Sequence, residues 1–263
     1  MKESERKTEV TEPEFYDCAY FASMDLRYLN NIHSGRFRAV EKIMPIIRNK
    51  KTLDIGCGGG GLTNRYFKAT DKLIGIDFSP DAIKFGKMRY PHLNLKQMSV
   101  FELSDNFKPA EFDVVIANDI IEHVYDHDSF MENCKSVLAD NGYLIIGTDL
   151  DDAPVFRYKM LKIFSSCLLV LGWSGIKFLM LRILEIPQNR LKDYHENHVK
   201  TVSQKELISC LEKHGFQAEK ILVYNLIHVL VRDLIFKLLH FITRNDFRDH
   251  QLVIARKSAS PEK

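Results

Sequence analysis

The residues able to do chemistry gather at a few points along the chain. Leu53 to Gly61 reads LDIGCGGGG, where Gly56, Gly58 and Gly61 satisfy G-x-G-x-x-G and Asp54, Gly56, Gly58 and Gly60 satisfy D-x-G-x-G-x-G. Glycines without Cβ let the backbone come close to a ligand, and the amides at a following helix N-terminus favour a carboxylate or another anion. A second acid, Asp77, ends the next apolar run and is placed to accept hydrogen bonds from ribose hydroxyls. Farther on, FDVVIANDIIEHV, Phe112 to Val124, carries Asp119, Glu122 and His123 just beyond an apolar strand. An imidazole titrates near neutrality, so His123 is the candidate proton acceptor, with Glu122 to orient it. His195 and His198, in DYHENHVKTVSQKEL, form a second histidine pair.

These residues must be held by a sheet. Between Lys51 and Leu150 short β-rich apolar runs alternate with helix-like stretches, the pattern of a parallel sheet built from βαβ units. The spacing predicts strands over Thr52 to Ile55, Lys72 to Ile76, Asn94 to Met98, Phe112 to Ala117 and Tyr143 to Gly147. Two further strands are expected over Gln217 to Tyr224 and Gln251 to Ala255. Ser79-Pro80-Asp81 marks a helix start, with Ser79 as cap and Pro80 in the first turn. Asp128 is expected to cap the helix running to Leu138, and Asn141-Gly142 to turn the chain into the fifth strand. Ser203 opens SQKELISCLEKHGF, which Gly215 ends. The glycine loop then lies at the first βα turn, and the Asp119 to His123 segment at the carboxyl edge of the sheet, where open α/β folds bind ligands.

The loop alone fits both a dinucleotide-binding fold and a second family. Asp54 helps decide between them, because a carboxylate ending a central buried strand is costly without partners, and dinucleotide folds keep that position apolar. The D-x-G-x-G-x-G run, Asp77 and the Phe112 to Val124 segment together resemble the class I S-adenosylmethionine-dependent methyltransferases. Within that superfamily the chain is most similar to the ubiquinone-biosynthesis O-methyltransferase group, over about Leu53 to Leu150 and again from His198 to Phe216. The resemblance implies an α/β, Rossmann-like, seven-stranded, mostly parallel sheet with helices on both faces, its last strand antiparallel, plus apolar helical inserts. It implies S-adenosyl-L-methionine as cofactor, held by Asp54, Gly56, Cys57, Gly58, Gly60, Asp77, Phe78, Asn118 and Asp119. Many relatives carry an acid for the adenine amino group after the third strand. This chain reads Gln97-Met98-Ser99-Val100 there, which leaves Ser99 and Val100 as the candidates.

A sulfonium methyl is already activated, so the protein must mainly place a nucleophile in line with it and remove a proton. The expected acceptor is a hydroxyl on a small or lipophilic, quinone-like molecule, with His123, Glu122 and His198 as catalytic candidates. Relatives associate an acid-x-x-Glu-His arrangement with a divalent cation such as magnesium, and Asp119, Glu122 and His123 match it, with aspartate in place of glutamate at the first position. The alternatives are N- or C-methylation, a non-catalytic cofactor-binding adaptor, and an NAD-dependent oxidoreductase.

Lys plus Arg is 37 and Asp plus Glu is 35 among 263 residues, a balance that excludes a general phosphate-backbone binder, so no nucleic-acid partner is expected. The five cysteines, Cys18, Cys57, Cys134, Cys167 and Cys210, contain no CxxC pair and indicate neither a disulfide framework nor a structural zinc site. Residues 1–35 read as an N-terminal tail and helical lead-in, 36–256 as the methyltransferase domain, and 257–263 as a C-terminal tail. The charged N-terminus without an apolar core points to a cytoplasmic address. Inserts at about 151–200 and 226–246 are apolar with scattered Lys and Arg. They are expected either to form a hydrophobic lid resting on a membrane surface or to pack on each other, in a homodimer for instance.

Overall fold

The computed structural model describes residues 20–22, 25, 35–149, 202–224 and 250–259. Helix α1 is Gly35–Ile47, followed by β1 (Thr52–Ile55), α2 (Gly61–Tyr66), β2 (Leu73–Asp77), α3 (Pro80–Arg89) and β3 (Asn94–Gln97). Then come α4 (Leu103–Asn106), β4 (Phe112–Asn118), α5 (His127–Val137), β5 (Leu138–Asp149), α6 (Gln204–Lys213), β6 (Phe216–Tyr224) and β7 (His250–Lys257). Single 3₁₀ turns at Val100–Glu102 and Ile121–His123 follow β3 and β4.

The strands form one sheet in the order β3-β2-β1-β4-β5-β7-β6. Strands β1 to β5 are mutually parallel, and β7 runs antiparallel to both β5 and β6. The order reverses between β1 and β4, so the crevice at their carboxyl ends is the topological switch point where such sheets take ligands.

Strand β4 shows why the sheet is apolar on both faces. Val115 and Ala117 enter a core with Phe130, Met131 and Cys134 of α5 and Leu207 and Leu211 of α6, whereas Val114 and Ile116 meet Val40, Ile43 and Ile47 of α1. Alternation with period two serves two helical layers, which is why the run reads as continuously hydrophobic.

The local signals hold with small shifts. Ser79 caps α3, its hydroxyl accepting from the Ala82 amide at 3.2 Å, with Pro80 in the first turn. Ser203 caps α6 in a reciprocal pair with Glu206, and Gly215 leaves the helix at φ 80°. The cap of α5 is Asp126 rather than Asp128: its carboxylate accepts from the Ser129 amide at 2.9 Å. Asp128 lies inside the first turn and instead takes Lys213 Nζ at 2.5 Å. Asn141, at φ 60°, bends the chain inside a longer β5 rather than ahead of it, and the β4–β5 register shifts at Phe112/Val114. The two apolar inserts, with His195 and His198, lie outside the described residues. Among the described residues no helix is long and apolar enough to cross a membrane.

Candidate functional site

Three strands deliver oxygen acceptors to the switch point. Asp54 is buried at the end of β1 and accepts from Thr63 Oγ1, in the first turn of α2, at 2.6 Å. Burial pushes its carboxyl up to about 7; the Thr63 hydrogen bond works against that rise, and the nearby Asp77 adds to it. Asp77, at the end of β2, accepts from the Gly58 amide at 2.8 Å and the Ser79 amide at 2.9 Å. Burial again dominates, and Asp77 stands at about 6 despite those two amides. Asn118, the last residue of β4, donates from Nδ2 to the Tyr66 hydroxyl at 2.6 Å, while its Oδ1 is buried without a hydrogen-bond partner. A buried acceptor left unsatisfied is expensive. Such a group fits a ligand that brings a donor.

The glycine loop joins these acceptors. Gly56 stands at φ 67°, and a Cβ there would lie 1.9 Å from Ile120 Cδ1, so the left-handed backbone and the close approach of Ile120 both demand glycine. Gly58, at φ 52°, turns its amide toward Asp77. Cys57 hangs from the loop into the apolar cluster of Ile83, Tyr90, Leu93 and Leu95, and burial pushes its thiol well above the ordinary range. Its amide donates to the Ile76 carbonyl at 2.9 Å and its carbonyl accepts from the Gly60 amide at 3.0 Å.

The segment after β3 lies beside Asp77, since the Met98 amide donates to the Asp77 carbonyl at 2.9 Å. The Ser99 hydroxyl accepts from Phe101 N at 3.3 Å, and its amide donates to Glu102 Oε2 at 3.0 Å. Val100 is buried, and Gln97 reaches the carbonyl of Phe78 at 3.4 Å. Phe78 thus follows the carboxyl end of β2, and Ser99 and Val100 follow that of β3.

At the other end, β4 leads into Asp119, a non-glycine residue at φ 57°, whose amide donates to the Gly147 carbonyl at 2.9 Å. Backbone strain of this kind concentrates at functional sites. The Ile121–His123 turn follows. Glu122 is directed inward, 2% exposed, and accepts from Thr148 Oγ1 at 2.9 Å, so it ties the turn to the end of β5. His123 is half-buried on the same turn. Asp119, Glu122 and His123 do not converge on one point: among the described residues the one set of three ligand atoms within 4.8 Å of each other belongs to Asp128, Cys210 and His214. The donor set, as placed, does not fit the expected divalent cation.

Three residues escaped the sequence reading. Phe21 is buried against the loop, 3.4 Å from where a Gly58 Cβ would be, and roofs the crevice from the N-terminal segment. Asp25, also buried, anchors that roof through the Arg89 Nε at 3.0 Å and the Tyr90 hydroxyl. The His127 ring bonds the Ile121 carbonyl at 3.0 Å and steadies the turn that carries His123. No motif marks the first two, since Asp25 pairs with Arg89, 64 residues on, and Phe21 packs on the distant glycine loop. His127 was readable only as the residue before the expected cap, Asp128.

Residues 46–162 match the family model described as a methyltransferase domain. The matched stretch, just under half of the chain, holds β1 to β5 and the glycine loop. A ubiquinone biosynthesis O-methyltransferase from Paracidovorax citrulli is 26% identical over 137 residues, which is 50% of this chain and 57% of that protein. The chain thus spans little more than half the length of this curated relative. The same fold is seen in a SAM-dependent methyltransferase from Archaeoglobus fulgidus, with TM-score 0.54 and 19% identity over 84% of this chain and 94% of that one. It is seen again in the N-methyltransferase NodS from Bradyrhizobium japonicum, solved with S-adenosyl-L-homocysteine, with TM-score 0.52 and 15% identity over 86% of both chains.

Proposed function

We propose that the protein transfers a methyl group from S-adenosyl-L-methionine to a hydroxyl of a small, lipophilic, quinone-like acceptor. The observation that carries the cofactor half is the trio of buried acceptors, Asp54, Asp77 and Asn118, set around the glycine loop at the carboxyl ends of β1, β2 and β4. Two carboxyls raised by burial are relieved by a ligand with a cationic end and hydroxyl donors, and the unsatisfied Asn118 Oδ1 would accept a hydrogen bond from an ammonium. Asp77 would hold the ribose, Asp54, Asn118 and the loop amides the methionine end, and Phe78, Ser99 and Val100 the adenine. When bound, the cofactor supplies a methyl group made electrophilic by its sulfonium charge.

The chain's own residues then have two tasks. His123, on the turn after β4, accepts the hydroxyl proton as the acceptor oxygen attacks. Glu122, Thr148 and His127 hold that turn still, which keeps the imidazole within reach of the reacting oxygen. The choice of a hydroxyl and of a quinone-like skeleton draws on the curated relative's printed name. His198 and the two apolar inserts, which would close over such an acceptor beside a membrane surface, belong to the same proposal.

Calorimetric titration separates the readings. Binding of S-adenosylhomocysteine without NADH binding is expected; NADH binding alone would overturn the assignment. Turnover of phenols and quinols by the wild type, and its loss in His123→Ala with cofactor binding intact, would support the transfer step. A wild type that binds the cofactor yet turns over no hydroxyl acceptor would count against it.

A further inference from the structure

A second group of reactive side chains lies away from the crevice, where α5 meets α6. Cys210 lies on α6 and His214 caps its C-terminal end four residues on, so the two share one side, beside the stripe of Leu207 and Leu211 that enters the core. Asp128 and Glu132 are four apart on α5 and face them. The His214 ring is buried, 6% exposed, and its Nδ1 bonds the Cys210 carbonyl at 2.8 Å. The carbonyl can only accept, so Nδ1 donates there; in a neutral ring this leaves the Nε2 lone pair directed at α5. Nε2 faces Asp128 Oδ1 at 3.4 Å and Glu132 Oε1 at 3.8 Å.

These features are those of a metal-binding imidazole. Ligating histidines characteristically donate the other ring nitrogen to a carbonyl or carboxylate, which fixes tautomer and orientation. Two bonds of about 2.0 to 2.1 Å at a tetrahedral angle set nitrogen and oxygen ligands about 3.4 Å apart, the separation found between Nε2 and Asp128 Oδ1. The other oxygen of Asp128 is held by Lys213 Nζ at 2.5 Å, so the carboxylate is oriented from outside. Asp128 and Cys210 also line a cavity of about 500 Å³ with Ile121, Tyr125, Val202 and Lys213, which gives an ion a path in.

We infer that Asp128, Cys210 and His214, whose ligand atoms lie within 4.8 Å of one another, with Glu132 beside them, form a zinc site that clamps α6 onto α5. A thiolate, an imidazole and carboxylates in a small, four-coordinate space suit zinc, whereas magnesium and calcium prefer all-oxygen shells. On coordination the Cys210 thiol loses its proton to solvent and zinc takes the sulfur lone pair; no electron is transferred. The clamp would steady the helix that follows residues 150–201, next to Ile121 and the turn bearing His123. The absence of a CxxC pair conceals such a site, because helical spacing of four puts the ligands of each pair on one face without one.

The test uses the full chain, stripped with a chelator and kept reduced by a phosphine. Zinc is titrated against a chromophoric chelator, and cobalt(II) is added separately as a spectroscopic probe. One equivalent of zinc should bind, and cobalt should give a thiolate charge-transfer band with the intense visible absorption of a tetrahedral ion. Cys210→Ser should abolish the charge-transfer band, and Cys210→Ser and His214→Gln should each weaken zinc binding by at least about 100-fold, the top of the range that outer-shell changes give. Zinc should raise the melting temperature of the wild type but not of Cys210→Ser, a partly exposed position that tolerates the change even if the buried His214 does not. No stoichiometric uptake, a cobalt spectrum without the thiolate band, or undiminished zinc binding in Cys210→Ser would each overturn the site.

Discussion

Asp54 and Asp77 show how two residues of one type acquire different tasks from their neighbours. Asp54 has a single hydroxyl partner, whereas Asp77 is held by two amides, one of them from the glycine loop itself. Removing either carboxylate should therefore weaken S-adenosylhomocysteine binding by about 1 to 3 kcal/mol, the value of a hydrogen-bonded charge, measured by calorimetry on Asp54→Ala and Asp77→Ala. Gly56→Ala is a stricter probe. It forces a side chain into the left-handed region and onto Ile120, and should cost about 1 to 3 kcal/mol of folding stability by urea unfolding. An unchanged midpoint would mean that Ile120 does not seat on the loop. For His123→Ala the expected loss is in kcat, on the order of 10²- to 10⁴-fold for a general base, with cofactor affinity preserved.

At the scale of elements, most of what the sequence offers is local. Strand β1 is found over the predicted residues, because a glycine cluster bounds it on one side and a polar lysine pair on the other. The caps at Ser79 and Ser203 were readable for the same reason, since a cap and its helix lie within a few residues. The α5 cap was misplaced by two positions: Asp126 and Asp128 both precede an apolar stripe, and only the geometry shows which carboxylate meets the Ser129 amide. Glu122 was legible as a candidate acid, but not its burial, because its partner Thr148 sits 26 residues away on the neighbouring strand. Phe21 and Asp25 were hidden by still longer separations. Their clamp gives a prediction for the N-terminal segment: Asp25→Ala should free Phe21 from the loop and speed cofactor dissociation several-fold in stopped-flow measurements, while Asp126→Ala should cost about 1 kcal/mol of stability and leave dissociation unchanged. Equal dissociation rates in Asp25→Ala and wild type would remove the roof from the account.

For the molecule as a whole, the crevice holds two acids that would rather be neutral. Their folded values, about 7 for Asp54 and about 6 for Asp77, lie above the ordinary 3.8. The folded state therefore binds more protons than the unfolded chain between those limits, and the unliganded protein should lose stability as pH rises from about 4 through about 7. Asp54→Asn should flatten that slope in urea unfolding followed across pH; a slope of the opposite sign would contradict the burial of these carboxyls. Ligand affinity should move the other way, since the ionised acids attract a cation, and should rise through about 6 to about 7. The sheet thus pays in stability for a site that a cationic nucleoside relieves. The sequence showed this tension in outline, as an acid ending a buried strand, but not the unpartnered Asn118 Oδ1, which exists only once β4 and β5 lie side by side and Gly147 makes room for it. The most direct test is a calorimetric titration of the full chain with S-adenosylhomocysteine beside its Asp77→Ala variant. Saturable one-to-one binding by the wild type, at least about 5-fold weaker in the variant, is the expected result. No heat with the wild type, or equal affinity in both, would contradict the account.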